Sequence, residues 1–165
     1  MHKCFYLICP TDCLEHTINM KFKHDNYFYG SLGNSFSCDC KTIDYIRNFI
    51  KKHNIKEIYF VLSIDNKIIL DALGQQEFSN IKILNNFYYE IKKQKKISKA
   101  SFHRGNSQLG ILSYYLNKKI NELQLQLTNL LNDPIKIGGK IYYKNQNSFT
   151  NIYSDLVCLQ KHHLN

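Results

Sequence analysis

The sequence predicts an α/β protein, a three-layer open sheet, mostly parallel, that ends in a C-terminal antiparallel hairpin. Three observations predict it. Two short runs, CFYLIC at Cys4–Cys9 and EIYFVL at Glu57–Leu62, are apolar throughout and rich in β-branched and aromatic residues, as strands buried on both faces are. Segments of helical period separate the strand-like runs. Near the C-terminus the pattern changes to two runs flanking a polar turn, a hairpin signal.

The first strand is Cys4–Cys9, and Pro10 stops it because proline cannot donate to a ladder. A short helix follows at Leu14–Lys21, for which Asp12 is a candidate N-cap. Tyr27–Tyr29 reads as a second brief strand, running into the loop Gly30-Ser31-Leu32-Gly33-Asn34-Ser35. Its glycines permit tight backbone or close approach of a ligand. Thr42–His53 carries Ile43, Ile46, Phe49 and Ile50 at helical spacing, with Thr42 as N-cap and Asn54 as terminator. After the central strand, Ser63 or Asp65 caps a helix over Asn66–Leu73. A helix is favoured over Asn80–Lys96. The longest periodic stretch is Ser107–Leu131, where Leu109, Leu112, Leu116, Ile120, Leu123, Leu127 and Leu130 step by three or four. Asp133-Pro134 breaks it. Lys140–Lys144, the turn Asn145-Gln146-Asn147 and Ser148–Tyr153 form the hairpin.

A length of 165 residues suits one domain over 1–165, too short for two comfortable ones. No stretch approaches the roughly 18 apolar residues a membrane helix needs, and the N-terminal run is too short and polar to read as a signal peptide. The expected location is therefore the cytoplasm. There the six cysteines would be free thiols or metal ligands rather than disulfides. A net charge of +9 attracts polyanions in general. Much of it lies in Lys92–Arg104, read as a solvated helix end. No nucleic-acid module surrounds that segment, so nucleic acid is not an expected partner, and a small anion remains one. His103-Arg104 and His162-His163 read as surface residues.

In open α/β sheets ligands bind beyond the carboxyl ends of the strands. Three segments should meet there: Cys9–Cys13, Gly30–Cys40 and Ser63–Lys67. The first holds CPTDC. Cys9 and Cys13 have C-x3-C spacing and Cys38-Asp39-Cys40 adds two thiols. Four thiolates would close a structural zinc site, with His16 a substitute for one of them. Alternatively, Cys13 at a helix N-terminus would be a reactive thiol, although Asp12 beside it opposes the thiolate. The same residues also fit a turn with buried thiols, which act as small hydrophobes.

The order of motifs resembles the β-class carbonic anhydrases over most of the chain. LICPTDC resembles that family's first strand and Cys-x-Asp-x-Arg segment, and YFYGSLGNS its strand and glycine loop. TIDYIRNFIKKHNIKEIYFVLSIDNKIILDAL resembles its helix, central strand and His-x-x-Cys turn. INELQLQLTNLLNDPIKIGGKIYYKNQNSFTNIYSD resembles its long helix, proline break and closing hairpin.

The resemblance implies a zinc held by Cys, His and Cys, which lowers the pKa of bound water to ~7 so that hydroxide attacks carbon dioxide. An Asp-Arg pair stands beside that metal. Residue by residue, Asp12 fits the aspartate, but the first ligand position falls on Pro10, with Cys9 one residue further back. The arginine falls on Leu14, the histidine on Ile64 and the second cysteine on Lys67. The arginine of the glycine loop falls on Gly30, while Gly33 and Asn34 remain. The implied protein is a non-catalytic homodimer with no cofactor, whose crevice residues are Gly33, Asn34, Ser35, Ser63, Asp65 and Asn66. Two alternatives stay open. One is a zinc-dependent carbonate dehydratase or hydrolytic enzyme with relocated ligands Cys9, Cys13, Cys38 and Cys40 and Asp12 as catalytic group. The other is an anion- or nucleotide-binding module.

Overall fold

The computed structural model describes residues 2–101, 107–128 and 134–154. Its sheet has five strands in the order β2-β1-β3-β4-β5. They are β1 (Lys3–Ile8), β2 (Asp25–Gly30), β3 (Glu57–Ser63), β4 (Lys136–Tyr143) and β5 (Ser148–Asn151). Strands β1 to β4 are mutually parallel and β5 returns antiparallel to β4. The chain leaves β1 toward β2 on one side, and β3 lies on the other. The loops after β1 and β3 therefore diverge and leave a crevice between them.

The two faces of the sheet are covered unequally. Phe5 and Leu7 of β1, Ile58, Phe60 and Leu62 of β3, and Ile141 of β4 point into one core. The helices α2 (Cys40–His53), α3 (Lys67–Leu73), α4 (Asn85–Ser101) and α5 (Ser107–Thr128) pack on it. Cys4, Tyr6, Ile8 and Val61 point the other way, where Leu14 and Ile18 of the α1 segment (helix Glu15–Lys21) cover them. Strand β1 is thus buried on both faces, which is why its sequence is apolar without alternation. Each fully buried large side chain contributes about 1.5–3 kcal/mol through removal from water.

Local choices differ from the sequence expectation at several ends. Helix α2 begins at Cys40, because the Asp39 carboxylate, rather than Thr42, caps it by accepting the Thr42 N–H at 2.9 Å. Asn54 ends it in a left-handed conformation, as expected. Asn66, rather than Ser63 or Asp65, caps α3 by accepting the Ile69 N–H at 3.0 Å. Asp12 does not cap α1, where Leu14 holds the cap position with no side-chain bond.

The stretch from Asn80 contains a 3-10 turn, Lys82–Leu84, before α4 starts. Strand β4 starts earlier than expected, at Lys136, and runs through Gly138 and Gly139. A Cβ on Gly138 would meet the Tyr59 ring at 3.1 Å, and one on Gly139 would meet Ile152 Cδ1 at 2.5 Å, so the neighbours on both sheet faces pack closely against the bare glycine backbone here. Among the described residues no helix is long and apolar enough to cross a membrane. The end of the long periodic segment beyond Thr128, His103-Arg104 and His162-His163 lie outside the described residues.

Candidate functional site

The three expected segments do meet at the carboxyl ends of β1 and β3. After β1, Pro10–Asp12 forms a 3-10 turn that ends at Cys13 in the left-handed region. The turn aims the Asp12 carboxylate across the crevice. One oxygen accepts the Ser63 N–H at 2.8 Å and the other accepts the Asn66 amide at 2.7 Å. The same Asn66 amide reaches the Thr11 hydroxyl at 3.3 Å. Both carboxylate oxygens are therefore engaged by the segment that follows β3. Burial pushes the Asp12 carboxyl above the usual range. The Ser63 and Asn66 bonds work against that, and the neighbouring Asp65 charge adds to it.

The glycine loop closes the same place from the β2 side. The Gly33 N–H donates to the buried Cys9 sulfur at 3.1 Å, and Cys9 shares a 3.1 Å hydrogen bond with Thr11. The Asn34 amide donates to the Val61 carbonyl at 3.0 Å, tying the loop to β3. Asn34 is fully buried, and its side-chain oxygen has no hydrogen-bond partner among the described residues. From α5, the Tyr115 hydroxyl donates to the carbonyls of Gly33 and Asn34, at 3.0 and 3.1 Å. Ser63 donates to the Asp65 carboxylate. Of the sequence-predicted crevice residues, Gly33, Asn34, Ser63 and Asn66 are thus joined in one network with Asp12, the candidate catalytic group. Asp65 touches it through Ser63. Ser35 instead lines a cavity of about 600 Å³ with Cys38, Phe87, Tyr115, Lys118 and Lys119.

The cysteines do not converge. Cys9 is buried under Gly33, whereas Cys13 is exposed and bonds back to the Pro10 carbonyl at 3.4 Å. Cys40 is exposed at the start of α2. Cys38 is half-buried, and burial pushes its thiol up despite the opposing Lys119 charge. Among the described residues, the group of three or more His, Cys, Asp or Glu ligand atoms within 4.8 Å of one another is His2, Cys4 and Glu57, at the other end of the sheet. Among the described residues the crevice carries the Asp12 carboxylate, held by the Ser63 N–H and the Asn66 amide, the Asp65 carboxylate, which accepts from Ser63, and a single thiol, Cys9.

The sequence reading missed Thr11 and Tyr115 as members of this network, and the His2, Cys4 and Glu57 group. Tyr115 carried no signal, since it lies on the periodic α5 among core residues. Cys4 and Glu57 become neighbours only through the β1–β3 register, which pairs them directly.

Comparison with solved structures identifies the class of fold. The chain has the β-carbonic anhydrase fold. It is similar to the β-carbonic anhydrase CafA of Aspergillus fumigatus at 15% identity, over 93% of this chain and 76% of that one, with a TM-score of 0.69. Tetrameric β-carbonic anhydrases from Sordaria macrospora match at 14% identity, over 95% of this chain and 81% of theirs, also with a TM-score of 0.69. CafD of Aspergillus fumigatus matches at 13% identity over 93% and 90%, with a TM-score of 0.71. No protein-family model matches the sequence, and no curated protein matches it.

Proposed function

We propose that this chain is a non-catalytic protein built on the β-carbonic anhydrase fold, with the standard zinc site lost and the crevice closed by an internal hydrogen-bonded latch. The observation that carries this reading is the double engagement of Asp12 by Ser63 and Asn66. A carboxylate that gates a metal-bound hydroxide must be free to exchange a proton or a hydrogen bond at the open metal position. Here both oxygens are used to hold two loops together. Ile64 and Lys67 stand where ligands would come from the third strand, and neither side chain can bind zinc as the family's residues do. The protein would act as a binding module rather than as a catalyst.

The test is metal analysis of untagged protein together with carbon dioxide hydration after saturation with zinc. The expected result is a hydration rate equal to that of buffer. Stoichiometric zinc accompanied by accelerated hydration would overturn the reading.

The proposed assembly is a homodimer, and the proposed location is the cytoplasm. The tetrameric assembly of the similar Sordaria proteins supports pairing. Light scattering should give twice the chain mass. A monomer at all concentrations would remove the dimer.

A further inference from the structure

At the opposite end of the sheet from the crevice, three metal-ligand types converge where β1 and β3 begin. Cys4 and Glu57 are register partners on neighbouring strands, with side chains on the face opposite the four-helix core. His2 precedes β1, and its Nε2 lies 3.5 Å from Glu57 Oε2. The histidine nitrogen, the Cys4 sulfur and the Glu57 oxygen all lie within 4.8 Å of one another. Tetrahedral zinc with bonds of about 2.0–2.3 Å sets its ligand atoms roughly 3.5 Å apart, so a small closure completes the set. The half-exposed His2 side chain is the part free to make it. A second imidazole, His24, packs edge-on against His2 with ring centroids 5.0 Å apart.

We propose that His2, Cys4 and Glu57 form a site for a divalent transition metal of the zinc class. Nitrogen, sulfur and oxygen donors of this mix suit zinc or cobalt, and a set containing a thiolate does not suit magnesium or calcium. On binding, the Cys4 thiol gives its proton to solvent and the sulfur bonds to the metal. Glu57 is already oriented. Lys136 holds Oε1 at 3.1 Å and the Tyr59 hydroxyl donates to Oε2 at 2.6 Å. The thiolate and carboxylate supply two negative charges to offset the dication, with Lys136 opposing it from the outer oxygen. The metal would tie His2 to the first residues of β1 and β3, a structural role independent of the crevice.

The experiment is titration of the untagged chain with cobalt(II), read by calorimetry and by the near-ultraviolet thiolate-to-cobalt absorption. One cobalt per chain with that band is expected. Cys4→Ser should abolish the band. His2→Ala should weaken binding by more than about 100-fold, beyond the loss typical of an outer-shell change. A His162→Ala/His163→Ala variant should keep both band and affinity. The proposal is overturned if the wild-type chain shows no band, if Cys4→Ser retains it, or if the double histidine variant loses it. Should Cys4→Ser fail to fold, the exposed His2→Ala decides, and unchanged affinity overturns the site.

Discussion

Asp12 and Asn66 meet across the crevice through a 2.7 Å amide-to-carboxylate hydrogen bond that joins residues 54 apart in sequence. Neither partner can turn away freely. The other Asn66 atom, Oδ1, caps α3 through Ile69, and the other Asp12 oxygen holds the Ser63 N–H. An asparagine at position 12 would set one amide against a donor it cannot satisfy. We expect Asp12→Asn to lose about 1–3 kcal/mol in denaturant unfolding, the usual penalty for an unmet buried donor. An unchanged midpoint would show the latch to be dispensable.

The same carboxyl should titrate above its ordinary range, because burial outweighs the Ser63 and Asn66 bonds. An acid whose folded pKa exceeds its unfolded value binds more protons when folded. Its contribution to stability therefore falls as pH rises from the unfolded pKa of about 3.9 through the higher folded value. Carbon-13 shifts of Asp12 followed against pH measure the midpoint, and one below about 3.9 would reverse the sign.

Tyr115 holds the glycine loop from behind. Tyr115→Phe removes the donor to the Gly33 and Asn34 carbonyls and leaves both in a buried place. The expected cost is about 1–3 kcal/mol. Amide exchange should rise first at Gly33 to Ser35, since local opening of the loop needs less than global unfolding.

Gly33 itself has φ +58°, and a Cβ there would meet the Phe87 ring at 3.1 Å and Ile68 Cγ2 at 3.3 Å. Gly33→Ala combines a left-handed alanine, costing about 1–2 kcal/mol, with crowding of that ring. The melting temperature should fall, and a rise would show that the loop relaxes without loss.

Asp39 is held near a pKa of about 2 by the Ser37 hydroxyl, with the Thr42 N–H adding to it. A depressed carboxylate stabilises above its unfolded pKa, and that contribution is lost as pH falls through about 2. Helix α2 should therefore fray in acid, and Asp39→Asn should flatten that dependence. Circular dichroism from neutral pH to strong acid checks both.

The sheet was legible because β1 and β3 are buried on both faces and advertise it as unbroken apolar runs. The start of β4 was not, because glycine argues against a strand. Only the Tyr59 ring on one face and Ile152 on the other explain Gly138 and Gly139. Cap identity was misjudged where two capping residues lie three apart. Asp39 and Thr42 each fit, and the carboxylate that captures the Thr42 N–H sets the helix start one turn earlier. In the site, the meeting of three loops could be foreseen from strand order. The direction of each thiol could not, since C-x3-C spacing permits one sulfur inward at Cys9 and the other in solvent at Cys13.

A double-mutant cycle over Asp12→Ala and Asn66→Ala tests the latch most directly, since the cycle cancels the separate loss of the α3 cap. The account predicts a coupling of about 1–3 kcal/mol between the two positions. Additivity within about 0.5 kcal/mol would contradict it.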